Sequence, residues 1–258
     1  MQYSEAVMVT ISVIIPSLND AVLLDQCLSA LRSQTRLPDE IVVVDNGSTD
    51  NTADVAKSFG ARVVEEPVRG IPSATARGFD EATCEVLARL DADSIPDETW
   101  IERVHDHFDR NHDLTAVTGT GEFYGSKPWV HRAGERLVLG GYFWFFPLIL
   151  GHPPLFGSNL AIRKEAWERL EPKFQRTTPR IHDDMHLSML IESDMHVAFD
   201  DELRVGVSAR PLVSPRRLVR WVWWAVPTAL ATSRDAALIG RRRRRRRERS
   251  RSKLSRHR

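Results

Sequence analysis

Two aspartates separated by one residue end an apolar run and are the strongest candidates for chemistry in the chain. Asp91 and Asp93 follow Val86, Leu87 and Leu90, so we expect them where a buried strand reaches the surface of a sheet. Residues i and i+2 of an extended backbone project to the same side, so both carboxylates can face one point. That point suits Mg²⁺ or Mn²⁺, which bind oxygen ligands and share their coordination shell with substrate phosphates. The same spacing also occurs in surface turns, so the neighbouring secondary structure is needed to distinguish a metal site from a turn.

The elements around this pair alternate between strands and helices. Apolar, β-branched runs predict strands over residues 11–15, 41–44, 61–65, 86–90 and 114–118. Helical spacing of apolar residues predicts helices over residues 20–33, 50–59, 73–83 and 97–110. The alternation predicts an α/β fold with a mostly parallel, Rossmann-like sheet flanked by helices. Ligands of such sheets bind beyond the carboxyl ends of the strands, and Asp45 and Asp91 both follow a strand.

The charge of the chain is unevenly distributed. The formal net charge is +1 over 258 residues, but residues 241–258 hold twelve Lys and Arg side chains and one acid. This tail therefore carries +11 and residues 1–240 carry −10. The two cysteines, Cys27 and Cys84, have no metal-ligand spacing, which favours a reducing compartment. Residues 1–10 do not resemble a signal peptide, so we expect a cytoplasmic protein.

Two apolar, aromatic segments raise the question of membrane contact. Residues 138–151 and 218–231 are each shorter than the roughly 20 residues that span a bilayer, and each contains a proline. We interpret them as buried or interfacial elements, with burial favoured for the first and neither favoured for the second.

The polybasic tail, residues 241–258, is expected to be disordered through self-repulsion. Attraction of one basic residue to anionic lipid is worth about 1 kcal/mol. Together with Trp221, Trp223 and Trp224, the tail therefore predicts peripheral contact with the inner face of the cell membrane. Nucleic acid is the rival partner and the weaker one, because no aromatic side chains interleave the arginines. A third alternative is that the tail only keeps the protein soluble.

Three sequence blocks together resemble a known family. They are Ser12–Asn19 (SVIIPSLN), Ile41–Thr52 (IVVVDNGSTDNT) and Leu90–Asp93 (LDAD). Their order and spacing resemble glycosyltransferase family 2, with shorter similarities at Gly157–Arg163 and Asp183–Ser188. The resemblance implies a GT-A fold and an inverting, metal-dependent transferase that uses a nucleotide-diphosphate sugar.

On the donor side, the resemblance implies that Pro16, Asn19 and Asp45 bind the nucleotide. Asp45 can accept a hydrogen bond from the N3–H of a uracil-type base, which favours a uridine nucleotide. The alternative role of Asp45 is to cap the turn Asn46–Ser48 that follows the second strand.

The resemblance also assigns residues to the diphosphate and its cation. Asp93 is the predicted ligand of Mg²⁺ or Mn²⁺, with Asp91 directed towards the ribose or a bound water. Arg77, on the helix between the third and fourth strands, is the candidate for contact with the diphosphate. Arg69 is an alternative at the same edge, and a solvated arginine is a further one.

On the acceptor side, Asp183 and Asp184 stand where the family usually shows Glu-Asp, although His186 replaces an acid that is common there. Asp184 is the implied general base, which takes a proton from the acceptor hydroxyl as that oxygen attacks the anomeric carbon. Asp183 lies beside the acceptor, and capping of the helix N-terminus is the alternative role for either aspartate. Gly157 and Asn159 resemble acceptor-lining segments, with Asn159 bonded to a sugar hydroxyl; a plain turn is the alternative.

These expectations divide the chain into four parts. Residues 9–120 form the nucleotide-sugar-binding half of a domain, and residues 121–213 its acceptor-binding and catalytic-base half. Residues 214–240 form an aromatic, basic interfacial segment, and the disordered polybasic tail follows. The predicted function is sugar transfer from a nucleotide-diphosphate donor, a UDP-sugar, to a hydroxyl of a lipid-linked or cell-envelope glycan acceptor. The alternative is a catalytically weak nucleotide-sugar-binding protein that its tail tethers to membrane or nucleic acid.

Overall fold

The computed structural model describes residues 8–177 and 182–210, which form a mixed β-sheet with helices on both faces. The strands are β1 Ile11–Ser17, β2 Glu40–Asp45, β3 Arg62–Glu65, β4 Val86–Arg89, β5 Ser94–Pro96, β6 Leu114–Tyr124, β7 Leu160–Arg163 and β8 His196–Ser208. Their order across the sheet is β3-β2-β1-β4-β7-β6-β8-β5.

Helices connect most of these strands. They are α1 Ala21–Arg32, α2 Thr52–Ser58, α3 Ile71–Glu81, α4 Trp100–Arg110, α5 Pro128–Gly134, α6 Gly140–Leu150, α7 Lys164–Leu170 and α8 Asp183–Leu190. A π-helical turn, Glu135–Leu139, joins α5 to α6, and a 3₁₀ turn, Glu171–Lys173, follows α7.

The parallel part of the sheet, β3-β2-β1-β4, is the part that the sequence predicts best. Strand β1 pairs in parallel with β2 and β4, and β2 pairs in parallel with β3. Val13 and Ile15 face a core formed with α1, α2 and α4, whereas Ile14 faces a core formed with α3, α7 and α8. Both faces of β1 are therefore buried, which explains its continuous apolar sequence. The strands end at one edge of the sheet, where Ser17 lies opposite Asp45.

The rest of the sheet is mixed. Strand β7 is antiparallel to both β4 and β6, and β5 is antiparallel to β8. The predicted α/β fold with a helix-flanked sheet is confirmed, and its antiparallel pairings lie where the strand–helix alternation of the sequence fades. The predicted division at residue 120 falls within β6 and stays a prediction. The predicted parts over residues 214–240 and 241–258 lie outside the described residues.

The apolar segment of residues 138–151 contains α6, and burial is the wrong expectation for its outer side. The exposed fractions there are 72% for Trp144, 51% for Leu148, 48% for Phe145 and 39% for Ile149. Its inner side packs on α8, where Tyr142, Phe146 and Leu150 join Met185 and Met189 in a small cluster. Within the described ranges, no helix is both long and apolar enough to span a bilayer. The second apolar segment, residues 218–231, lies outside those ranges.

Candidate active site

Side chains of Asp45 and Asn46 fix the turn that follows β2. Asp45 Oδ1 accepts a hydrogen bond from the backbone N–H of Ser48 at 2.9 Å. Buried Asn46 donates to the carbonyls of Glu66 and Val68 at 2.8 Å, and thereby ties the turn to the end of β3. Asp45 therefore does cap the turn. Among the described residues no partner is found for its Oδ2 atom, so this oxygen is available to a ligand.

Pro16 and Asn19 form the neighbouring wall. Pro16 lies in β1 opposite Val44, and Asn19 has a left-handed φ of 53°. The side-chain oxygen of Asn19 accepts a hydrogen bond from the backbone N–H of Thr49 at 2.7 Å, and the Asn19 N–H donates to Ser48 Oγ at 3.0 Å. Asn19 thus ties the end of β1 to the turn after β2. Its contact with a nucleotide stays a prediction, as does that of Pro16.

The two arginines considered for the diphosphate lie in different places. Arg69 Nη2 donates to the carbonyl of Gly47 at 3.0 Å, so its guanidinium lies against the turn that Asp45 caps. Arg77 instead forms an ion pair with Glu81, one helical turn along the exposed side of α3, at 2.9 Å. Arg69 therefore lies at the strand-end edge, and contact of Arg77 with the diphosphate stays a prediction.

Asp91 and Asp93 have different partners although they are only two residues apart. Asp91 Oδ1 accepts a hydrogen bond from Arg89 Nη2 at 2.8 Å, and Asp91 Oδ2 accepts one from the Ser158 hydroxyl. Asp93 Oδ2 pairs with Arg210 Nη2 at 2.8 Å. Both oxygens of Asp91 are thus engaged within the protein, so its predicted contact with ribose or water competes with these bonds.

The surroundings of Asp93 suit a positive charge. Burial and then the charge of Asp91 raise the pKa of Asp93, and Arg210, which also pairs with Asp20 at 3.0 Å, opposes this rise. The described ranges contain no group of three His, Cys, Asp or Glu side chains placed to hold a metal. Donor phosphates and water would have to complete a coordination shell, as they commonly do for Mg²⁺. Asp93 fits a cation on these terms, and Arg210 is the group that the cation would displace.

The second acidic pair begins helix α8. Asp183 is buried, and its Oδ2 accepts a hydrogen bond from Thr75 Oγ1 at 2.7 Å and pairs with Arg89 Nη2 at 3.3 Å. Asp184 Oδ1 accepts from the backbone N–H of Met185 at 2.7 Å. A role at the helix start and a role in chemistry are therefore compatible for Asp184.

The second carboxylate oxygen of Asp184 accepts a hydrogen bond from the backbone N–H of Gly157 at 3.0 Å. Burial and then the charge of Asp183 raise the pKa of Asp184, while His182, Arg89 and the Gly157 N–H oppose the rise. A carboxylate with a raised pKa holds a proton more readily than an ordinary aspartate does. This environment suits a general base.

Asn159 does not lie where the sequence predicts. Its side chain is fully buried; Oδ1 accepts from the indole N–H of Trp100 at 2.8 Å, and Nδ2 donates to the carbonyls of Thr120 and Leu203 at 2.8 and 2.6 Å. Both polar atoms are therefore engaged inside the protein. The expected bond from Asn159 to an acceptor hydroxyl is wrong, because a ligand cannot reach this side chain in the core.

Three residues of the site were missed by sequence reasoning: Arg89, Ser158 and Arg210. Arg89 carries a sequence signal, since it is a charged residue within the otherwise apolar run Val86–Leu90. Ser158 and Arg210 carry none, because they meet Asp91 and Asp93 from positions 67 and 117 residues away.

These groups lie along one edge of the sheet. Strands β2 and β4 flank β1, so their ends are about 10 Å apart at the usual strand spacing. Asp45 and the Asp91–Asp93 segment therefore share that edge. Arg89 connects it to Asp183 at the start of α8.

Comparison with known sequences identifies the family that the three blocks resemble. Residues 12–170 match the family described as Glycosyl transferase family 2. Glycosyltransferase AglE of Haloferax volcanii is 34% identical over 119 residues, which cover 43% of this chain and 36% of AglE. An uncharacterized glycosyltransferase of Mycobacterium tuberculosis is 37% identical over 130 residues, covering 50% of this chain and 57% of that protein. The chain thus spans between about a third and somewhat over half of the length of these curated relatives.

Comparison with solved structures gives the fold. Glucosyl-3-phosphoglycerate synthase from Mycobacterium tuberculosis, in complex with Mn²⁺, UDP and phosphoglyceric acid, superposes with a TM-score of 0.60 at 22% identity, covering 87% of this chain and 78% of that one. TarS from S. aureus in complex with UDP-GlcNAc gives a TM-score of 0.63 at 15% identity, covering 77% of this chain and 58% of that one. At these identities the likeness shows the fold alone. Since the family match covers more than half of the chain and the sheet is that of GT-A proteins, the chain belongs to glycosyl transferase family 2.

Proposed function

We propose that the chain transfers a sugar from a UDP-sugar to a hydroxyl of a lipid-linked or cell-envelope glycan acceptor, with inversion at the anomeric carbon. The observation that carries this proposal is the link between two acidic pairs. Asp91, beside Asp93, and Asp183, beside Asp184, are both bound by Arg89. One pair lies at the strand ends, where a cation and a diphosphate are expected, and the other offers a carboxylate base.

Donor binding is assigned to the edge formed by β1, β2 and β4. The Oδ2 atom of Asp45 is available to the N3–H of uracil, and Arg69 lies against the same turn. Asp93 would hold a divalent cation, Mg²⁺ or Mn²⁺, which when bound stabilises the negative charge on the leaving diphosphate. The presence of UDP and Mn²⁺ in the solved synthase, and of UDP-GlcNAc in TarS, supports this class of donor.

Asp184 is the proposed general base. It removes the proton of the acceptor hydroxyl while that oxygen attacks the anomeric carbon from the face opposite the diphosphate. The new C–O bond forms as the bond to the diphosphate oxygen breaks, and the nucleoside diphosphate leaves with the electron pair. The Gly157 N–H, 3.0 Å from Oδ2, orients the carboxylate for this step.

The test combines binding with turnover in a panel of UDP-sugars. Calorimetry with UDP and Mn²⁺ should show binding by both the unmodified chain and Asp184→Asn, because the substitution leaves the donor edge intact. UDP release from the preferred donor should fall about 10²–10⁴-fold in Asp184→Asn. UDP binding without turnover in the unmodified chain would favour the alternative of a weakly catalytic binding protein. Absence of UDP binding would contradict both.

The lipid-linked acceptor is supported by the segment of residues 128–150. This segment exposes a set of side chains that we term the aromatic face: Trp129, Leu137, Trp144, Phe145, Leu148 and Ile149. On its inner side, burial and then the charge of Asp184 raise the pKa of Tyr142, which packs with Met185 of α8. The aromatic face is therefore carried by a segment that packs beside the proposed base.

An anionic lipid surface is the occupant that the charges favour. Lys127 precedes this segment and Arg132 and Arg136 lie on it; all three are exposed, and Glu135 is the only acidic residue of the segment. A second copy docked face to face would bring these cations together, whereas anionic headgroups neutralise them and accept aromatic side chains at their level. The polybasic tail adds to this attraction. We therefore place the protein peripherally on the inner face of the cell membrane.

Vesicle flotation of the full chain tests this placement. Vesicles of phosphatidylglycerol and phosphatidylcholine should bind the chain, and pure phosphatidylcholine vesicles should bind it much less. Trp144→Ser should weaken binding by at least about tenfold, because burial of a large apolar side chain is worth roughly 1.5–3 kcal/mol. Val22→Ser, at a 75% exposed position of α1, is the matched control and should leave binding unchanged. Equal binding of the two variants would contradict docking through the aromatic face.

A further inference from the structure

Arg89 places a full positive charge inside the protein. It is the last residue of β4 and only 2% exposed. Burial opposes its ionisation, but the charges of Asp183, Asp91 and Asp184 together outweigh burial and raise the pKa of Arg89. A buried guanidinium is costly unless carboxylates compensate it. The positive charge of Arg89 is therefore compensated by three aspartates of the candidate active site.

One nitrogen of Arg89 joins the two acidic pairs. Nη2 lies 2.8 Å from Asp91 Oδ1 and 3.3 Å from Asp183 Oδ2. Nε has no hydrogen-bond partner within the described residues. The two carboxylate partners of Nη2 lie on opposite sides of the site. Asp91 belongs to the donor edge, and Asp183 belongs to the helix that carries Asp184.

Gly157 makes room for this arrangement. A Cβ atom at this position would lie 2.0 Å from Arg89 Nη1 and 3.1 Å from Asp184 Oδ2. The same glycine donates its N–H to Asp184. The guanidinium and the base are thus packed against one residue that has no side chain, and any side chain there would displace one of them.

The charge of Asp184 depends on groups from three elements. Asp183 and His182 lie next to it at the start of α8, Arg89 approaches from β4, and Tyr142 approaches from α6. Asp183 favours the protonated form of Asp184, whereas Arg89 and His182 favour the ionised form. Arg89 therefore acts on the base both through Asp183 and through its own charge.

We propose that Arg89 is a positioning residue of the transfer reaction, which joins the donor-side carboxylate Asp91 to Asp183 and so keeps Asp184 in place and ionised. This inference rests on the proposed function, since it needs Asp184 as the base. It adds a connection between donor edge and base that neither the sequence blocks nor the family match assigns. Arg89 acts through Asp183 and Asp184 and not by contact with the acceptor.

The test measures the pH dependence of UDP release from the preferred UDP-sugar, together with UDP affinity by calorimetry. Arg89→Met removes the charge, so the acid limb of the rate profile should move upward by about one pH unit. Arg89→Lys keeps a charge but loses the bridge, and should move the limb in the same direction by less. Gly157→Ala changes no charge but displaces the guanidinium, so it should also move the limb upward.

A control variant separates this role from a merely structural one. Arg62→Lys alters another arginine, which pairs with Glu40 and Glu81 away from the site, and should leave the acid limb where it is. If Arg89→Met fails to fold, Arg89→Lys and Gly157→Ala serve as the test variants. If either of them folds and binds UDP but leaves the acid limb of the pH profile unchanged, the proposed role of Arg89 is overturned. Asp184→Asn with full turnover would instead overturn the proposed function, and the role of Arg89 with it.

Discussion

The site contains two acidic pairs, Asp91 with Asp93 and Asp183 with Asp184. The first aspartates of the two pairs have similar partners, whereas the second aspartates have different ones. In each pair Arg89 binds the first aspartate, Asp91 or Asp183, and a hydroxyl group donates to the same carboxylate. The second aspartate, Asp93 or Asp184, has a pKa that burial raises. In each pair, therefore, Arg89 and a hydroxyl bind one aspartate, and the other aspartate has a raised pKa.

The partners of the second members differ in kind. Asp93 faces the guanidinium of Arg210, which is a full positive charge, whereas Asp184 Oδ2 faces the neutral N–H of Gly157. A site that already attracts a cation suits a metal ion. A site whose nearest partner is neutral leaves the carboxylate able to accept a proton. The difference between the pairs thus lies in their partners and not in the aspartates.

The largest loss of turnover should come from removing the charge of Asp93, the predicted metal ligand. Asp93→Asn removes the charge that holds Arg210 and would hold the metal, so UDP-sugar turnover should fall at least about a hundredfold. Stimulation of turnover by Mn²⁺ should disappear in the same variant. The matched substitution Asp91→Asn should retain Mn²⁺ stimulation, because Asp91 is committed to Arg89 and Ser158. Loss of Mn²⁺ stimulation in Asp91→Asn but not in Asp93→Asn would reverse these roles.

The pH dependence of turnover tests the role of Asp184 as the general base. A general base works only when ionised, so turnover should fall as the pH drops through the raised pKa of Asp184, above the range in which an ordinary aspartate is protonated. The charge of Asp183 contributes to that raised pKa. Asp183→Asn removes it and should shift the acid limb downward by about one pH unit, opposite in sign to Arg89→Met. Shifts of the same sign in both variants would contradict the opposed effects of these two charges.

The sequence predicts the parallel half of the fold because its information there is local. Strands β1, β2 and β4 bury apolar side chains on both faces, so their apolar runs are continuous. Strands β7 and β8 pair with partners that are remote in sequence, and the three-residue strand β5 is too short for a periodic pattern. The exposed side of α6 was missed because its composition is that of a buried element.

In the candidate active site, too, the sequence predicts what is determined locally and misses contacts between remote positions. The aspartates are found from the sequence because they end strands or begin a helix, positions that local pattern determines. Their partners are not found, because Ser158 and Arg210 approach from other parts of the sheet. Asn159 shows the converse error: a polar residue close after a glycine resembles a ligand-binding loop, yet its amide satisfies buried backbone carbonyls and an indole N–H.

The smallest effect should separate the two candidate arginines and so locate the diphosphate relative to Asp93. Arg69→Ala should weaken UDP binding in calorimetry by about five- to tenfold, since one exposed charge-assisted hydrogen bond is worth roughly 1–1.5 kcal/mol. Arg77→Ala is the matched control and should leave UDP affinity unchanged, because its guanidinium is engaged with Glu81. The loss for Arg69→Ala should shrink for uridine, which has no phosphate to contact. An equal loss for UDP and uridine would show that Arg69 supports the turn at Asp45 and not the diphosphate.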